Sequence, residues 1–229
     1  MASVASSTYM FGGKDTDGMV ADFWLHEFPD AALAGNETVH RWTALEAPGA
    51  MSEDGLIGSM MIADADFVYL LGGETGSGIK VGTFYKYDAS EKTWIQLAST
   101  PVGISFGLMA LMGDGMIFVS DGTTGKTWVY EEVEGWYEMS CGTGEGNRRG
   151  GEDAEDVGMF ATNSVGGSTS TGLFLQFGGK LDKSGTISND VTILITNNKV
   201  CERTMIVGLG EGGRRKRRSE ATYAYFGPP

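Results

Sequence analysis

Residues 68–97 read VYLLGGETGSGIKVGTFYKYDASEKTWIQL. An apolar run, Val68–Leu71, stops at Gly72-Gly73, and a polar loop follows. A second strand runs through Tyr85-Lys86-Tyr87-Asp88, then comes a turn, and Trp94 opens a third strand. Aromatic and β-branched residues bounded by turn formers are the signature of short antiparallel strands. The opening element recurs as Tyr9–Gly13, Tyr69–Gly73, Phe118–Gly122, Leu175–Gly179 and Ala224–Pro228. Its first glycine, or the Asp replacing it, falls at 12, 72, 121, 178 and 227, giving spacings of 60, 49, 57 and 49. A period near 50 with β character marks an array of four-stranded units.

Working outward, each glycine pair is followed by a loop and a strand: Asp22–Phe28, Gly82–Asp88, Lys126–Glu132 and Asn189–Thr196. A further strand carries Trp42, Trp94 or Trp136, with Val200-Cys201 as the fourth, aromatic-free counterpart. An apolar strand then leads back to the next glycines: Ile57–Ala63, Ile104–Met112, Val157–Asn163 and Ser219–Tyr223. The repeat units are approximately 6–65, 66–114, 115–171 and 172–218, with 219–229 starting a further unit or closing the array. Together they make one domain over 1–229.

The order of apolar strand, Gly-Gly, Tyr-x-Tyr-Asp and Trp resembles that of kelch-repeat β-propellers, over nearly the whole chain. The residues that carry it are Gly12, Gly13, Trp42, Gly72, Gly73, Tyr87, Trp94, Gly122, Trp136, Gly178 and Gly179. The second unit matches best. The third departs by Asp121-Gly122, and Arg217–Tyr225 has Glu220 where the family commonly has His. The resemblance implies an all-β fold, a kelch-type β-propeller of about four four-stranded blades. Two arrangements remain open. In one, Ser219–Phe226 joins the blade begun by Ser6–Phe11 and closes a compact ring. In the other, the chain is part of a six- or seven-bladed propeller, and its incomplete ring self-associates. The family suggests a non-catalytic scaffold that offers loops on one face to a protein partner. A carbohydrate-binding or enzymatic propeller is the alternative.

Composition agrees with a turn-rich β protein. Glycine supplies 36 of 229 residues, more than twice the usual share of roughly 7%. The 17 basic residues against 30 acidic ones leave a net charge of −13, which repels nucleic acid. No apolar run reaches bilayer length, and MASVASSTYMFGG lacks the basic and apolar regions of a signal peptide. Cys141 and Cys201 belong to no CxxC pair. Two thiols in a reducing compartment, cytoplasm first and nucleus second, are the expectation.

Chemistry is sparse. His26 and His40 both fall in the first unit, which leaves no copper set of the galactose-oxidase kind and no Ser/His/Asp constellation. Asp15, Asp17, Asp22, Asp64 and Asp66 sit where Asp bonds to its own turn. Gly142-x-Gly144-x-Gly146 and Gly72–Gly78 match neither a dinucleotide fingerprint nor a P-loop. The expectation is therefore no catalytic residue, metal or cofactor. Two loops stand out as the binding region: 140–156, with Arg148, Arg149, Glu152 and Asp153, and 205–218, with Arg214, Arg215, Arg217 and Arg218. As neighbours on one face, they form a charged docking site for a protein partner.

Overall fold

A computed structural model describes residues 1–4, 7–27, 41–51, 55–112, 115–124 and 126–139, and the strand residues 165–168, 173–177, 191–197 and 200–206. The protein is all-β, built as four antiparallel four-stranded sheets whose strands follow chain order. The first sheet contains β1 (Ala2–Val4), β2 (Ser7–Lys14), β3 (Met19–Glu27) and β4 (Arg41–Leu45). The second contains β5 (Met60–Ala63), β6 (Phe67–Glu74), β7 (Lys80–Asp88) and β8 (Thr93–Leu97). The third contains β9 (Leu108–Leu111), β10 (Ile117–Ser120), β11 (Thr127–Glu131) and β12 (Gly135–Glu138). The fourth contains β13 (Val165–Ser168), β14 (Leu173–Phe177), β15 (Val191–Asn197) and β16 (Val200–Ile206). Among the described residues one 3-10 turn, Gly49–Met51, interrupts the strands. Among the described residues no helix is long and apolar enough to cross a membrane.

The expected leading strands need correcting. The strand leading to each glycine pair belongs to the sheet that follows it, because β5 pairs with β6 and β9 with β10. In the fourth sheet that strand is Val165–Ser168, and 157–163 lies outside the described residues. The strand beside Ser7–Tyr9 is β1, in the register Ala2↔Tyr9, Ser3↔Thr8 and Val4↔Ser7. Ser219–Phe226, expected to join this blade in a closed ring, lies outside the described residues.

The glycine pairs have a mechanical reason. Register shifts between Phe11 and Gly13 and again between Leu71 and Gly73, so each pair forms a bulge. Gly12 and Gly72 have φ of 64° and 65°, where a side chain is disfavoured. A Cβ on Gly12 would lie 2.6 Å from the Leu56 carbonyl oxygen, and one on Gly72 would collide with that of Ile104. The third sheet substitutes Asp121, only 3% exposed. Its carboxylate accepts bonds from the Thr123 amide (3.2 Å), the Thr123 hydroxyl (2.9 Å) and the Thr124 hydroxyl (2.5 Å), so the buried charge is not left bare.

The first three sheets join through one repeated wedge. Fully buried Phe23 of β3 sits 5.0 Å from Tyr87 and 4.8 Å from Trp94 of the second sheet. Fully buried Phe84 of β7 sits 5.0 Å from Tyr130 and 5.2 Å from Trp136 of the third. Each indole also donates backwards across the junction, Trp94 Nε1 to the Glu46 carbonyl at 2.8 Å and Trp136 Nε1 to the Ala98 carbonyl at 2.6 Å. Burying such a Phe is worth about 1.5–3 kcal/mol, and the edge-to-face contacts add to it. The cores are built around these wedges: Tyr9, Phe23, Val68 and Tyr87 in one, Leu71, Phe84, Ile117 and Trp128 in the other. The leading strands also pack in succession, β1 on β5, β5 on β9 and β9 on β13.

Candidate functional site at the loop ends

Glycine pairs stop β2 and β6 at the same end of their sheets, and there the loops of one sheet are laced to the entry of the next. The Gly13 amide donates to the Leu56 carbonyl (3.0 Å), and the Leu56 amide donates to that of Val20 (3.2 Å). One unit later the Gly73 amide donates to the Ile104 carbonyl (2.8 Å), and the Ile104 amide donates to that of Val81 (3.1 Å). Bulge, connection and middle strand are thus stitched by the same two bonds each time. Glycines again allow close approach: a Cβ on Gly55 would strike Met19, and one on Gly103 would strike Lys80. A continuous loop surface results, running from 14–18 through 55–58, 74–80 and 100–107 to 121–124.

Charge on this surface is mostly occupied locally. Asp15 accepts from the amides of Asp17 (2.8 Å) and Gly18 (2.9 Å). Asp121 holds its two threonines, and the Lys80 ammonium donates to the Thr123 hydroxyl. At the opposite end Asp64 caps the β5–β6 turn, accepting from the amides of Asp66 (2.9 Å) and Phe67 (2.7 Å) and from the Tyr69 hydroxyl (3.1 Å). Burial first, then the Asp64 charge and hydrogen bond, push the Tyr69 phenol well above its ordinary value. Asp88 closes the next turn by accepting from Ser90 and Glu91. The Glu91 amide and the Ser90 hydroxyl hold its carboxyl below the usual range. The turn role expected of Asp15 and Asp64 is therefore what the geometry shows. Among the described residues no group of three or more His, Cys, Asp or Glu is arranged to hold a metal.

What the loop surface leaves open is apolar. Ile79 is 62% exposed, Val102 47% and Phe106 39%. Phe106 has φ of +54°, and its amide donates to the Gly58 carbonyl at 2.8 Å. Sequence reasoning missed it. The signal was its place two residues after Ile104, where the preceding unit has Gly58 two residues after Leu56. Far from the loops, a cavity of about 310 Å³ separates the first two sheets; Tyr9, Glu27, Asp66, Tyr87 and Lys92 are among its lining residues. Burial pushes the Tyr87 phenol up to about 12.

The predicted residues divide sharply. Gly12, Gly13, Gly72 and Gly73 form the bulges, Tyr87, Trp94 and Trp136 the wedges, and Gly122 backs onto Phe106. Trp42 lies on β4 opposite His26, with ring centroids 4.9 Å apart, and is 44% exposed. Buried His26 lies in the third strand of its sheet, away from the loop surface. Arg148, Arg149, Glu152, Asp153, Arg214, Arg215, Arg217 and Arg218 lie outside the described residues, as do Gly178, Gly179, His40 and Cys141. Cys201 lies on β16 opposite Thr196.

No family model matches the chain, and no curated protein matches it. Among solved structures 170 chains match. One, titled "Structure of YjhT", is similar with a TM-score of 0.61 at 12% identity. The match covers 92% of this chain and 64% of that one, so the chain spans less than two thirds of that structure's length. At this identity the likeness concerns the fold alone.

Proposed function

We propose that the chain is a kelch-type β-propeller segment whose loop face docks another protein and performs no catalysis. Each four-stranded sheet is one blade, the leading strands line the centre, and the Phe–Tyr–Trp wedge is the joint between blades. An open succession from β1 to β13 favours a share of a larger ring over a closed ring of four. So does the 64% coverage of the similar structure, which leaves room for about two further sheets of this size. The observation that carries the function is the loop surface. Consecutive units are laced into one continuous face on which Asp15 and Asp121 serve their own turns, while apolar side chains stand outward. Such a face suits recognition by a partner's side chains. The charged loops 140–156 and 205–218 extend this face. A reducing compartment, cytoplasm or nucleus, suits Cys141 and Cys201 as thiols.

The test is affinity capture with identification of bound proteins, comparing wild type with two variants. Replacing Glu152 and Asp153 by Lys is expected to weaken capture. Val133→Ser, at a hairpin tip that is 97% exposed, is expected to leave it unchanged. Turnover of a sugar alcohol, or stoichiometric copper in the purified protein, would overturn the reading in favour of an enzymatic propeller.

A further inference from the structure

The geometry points to Phe106 as the anchor of a docking site for a polypeptide segment that carries one large apolar side chain between basic residues. This rests on the protein-binding reading and sharpens it. Leu56 and Ile104 hold the same place in the repeat, as their paired backbone bonds show, so Gly58 and Phe106 are equivalent positions. Both have left-handed backbone, φ +68° and +54°. Glycine adopts that conformation freely, whereas a bulky side chain is strained in it. Folding alone gives no reason for phenylalanine here, since its side chain remains partly exposed.

The ring is nonetheless held in place. It lies over Gly58, where an added Cβ would be 2.7 Å from it. Its amide is bonded to the Gly58 carbonyl, and its own carbonyl fills the space beside Gly122 that a side chain would need. An exposed aromatic fixed in advance loses little entropy on binding and makes an effective anchor. Val102 on the same connection and Ile79 on the neighbouring loop add apolar surface.

Polar groups nearby are already engaged. Ser59 Oγ donates to the Gly72 carbonyl (3.0 Å), Thr100 Oγ1 donates to the Val102 carbonyl (2.7 Å) and Lys80 Nζ donates to Thr123, while the Ser105 hydroxyl, which has no bond, is wholly buried and out of a ligand's reach. A sugar would find few partners here, while an apolar side chain needs none. Asp15, Asp17 and Glu74 outnumber Lys14 and Lys80 on these loops, and the chain carries −13. Basic flanks complement that field.

A phage-displayed library of random linear peptides, panned on the full chain, tests this. Enriched peptides are expected to carry Trp, Phe, Leu or Met between Lys or Arg. They should bind Phe106→Gly at least about tenfold more weakly, while that variant melts no lower than its parent. Peptides that bind both proteins equally would remove Phe106 as anchor and leave the protein-binding reading standing. No enrichment on the wild type would sink both. Enriched peptides that are acidic or lack a large apolar residue would overturn the assigned class. A melting temperature lowered by more than roughly 5 °C would make the ring a structural element instead.

Discussion

Trp94 and Trp136 each act in two ways, and the two can be separated by substitution. The ring packs against the wedge Phe of the preceding sheet, and the indole N–H bonds to that sheet's trailing backbone. Trp136→Phe keeps much of the first and removes the second, leaving the Ala98 carbonyl to water. A loss of about 1 kcal/mol is expected. Phe84→Ala empties the wedge itself and is expected to lose about 3–5 kcal/mol. Urea unfolding of both variants and of the pair checks this; contact at 5.2 Å predicts a coupling of about 0.5–1.5 kcal/mol. Trp94 and Trp136 were legible in the sequence because each opens the strand after the turn that follows an aromatic strand, although their distances from the glycines vary. Phe106 was not, since its meaning depends on a backbone angle that only Gly58 announces.

At the scale of elements, turns fix the strand register through aspartate. Asp64 accepts three bonds at 2.7–3.1 Å, and Asp64→Ala is expected to destabilise by about 1–2 kcal/mol, with an unchanged denaturant slope. The tyrosines predict an alkaline limit. Tyr9, Tyr69, Tyr85, Tyr87, Tyr130 and Tyr137 are all raised above 10.0, chiefly by burial, with Tyr87 at about 12. A raised folded value means the native state holds its proton more tightly. That stabilisation is complete below pH 10 and is lost as pH climbs from there through about 12. Tyrosinate absorbance should therefore appear together with loss of β-sheet circular dichroism, and tyrosines that titrate freely near 10 with the sheets intact would contradict it. Pairing followed from β-branched and aromatic runs, so β6, β7 and β8 fall within two residues of their expected bounds. The leading strands did not. β1 and β13 have three and four residues, too short for an alternating pattern to announce them.

For the whole molecule, the wedge joins the first sheet to the second and the second to the third: one sheet gives a Phe, and the next receives it between two rings. The first sheet has a face in the place where the second and third sheets carry their receiving rings. By register Thr8, His26 and Trp42 share that face, and so do Met10, Trp24 and Ala44. Trp42 stands where Trp94 and Trp136 stand in the next sheets, and His26 where Tyr87 and Tyr130 do. β13 makes no contact with β1 comparable to those between successive leading strands. Half-exposed Trp42 on such a face suits contact with a further sheet, including one from a second copy. The 229-residue chain is accordingly expected to self-associate, with a sedimentation coefficient that rises across the micromolar range. Trp42→Lys places an ammonium where the indole would bond, and should weaken this association at least about tenfold. Because Trp42 is 44% exposed, the same change should alter monomer stability by only about 0.5 kcal/mol. A chain that sediments as a monomer throughout that range would show that its receiving face is already covered. The larger-ring reading would then yield to a closed ring of four.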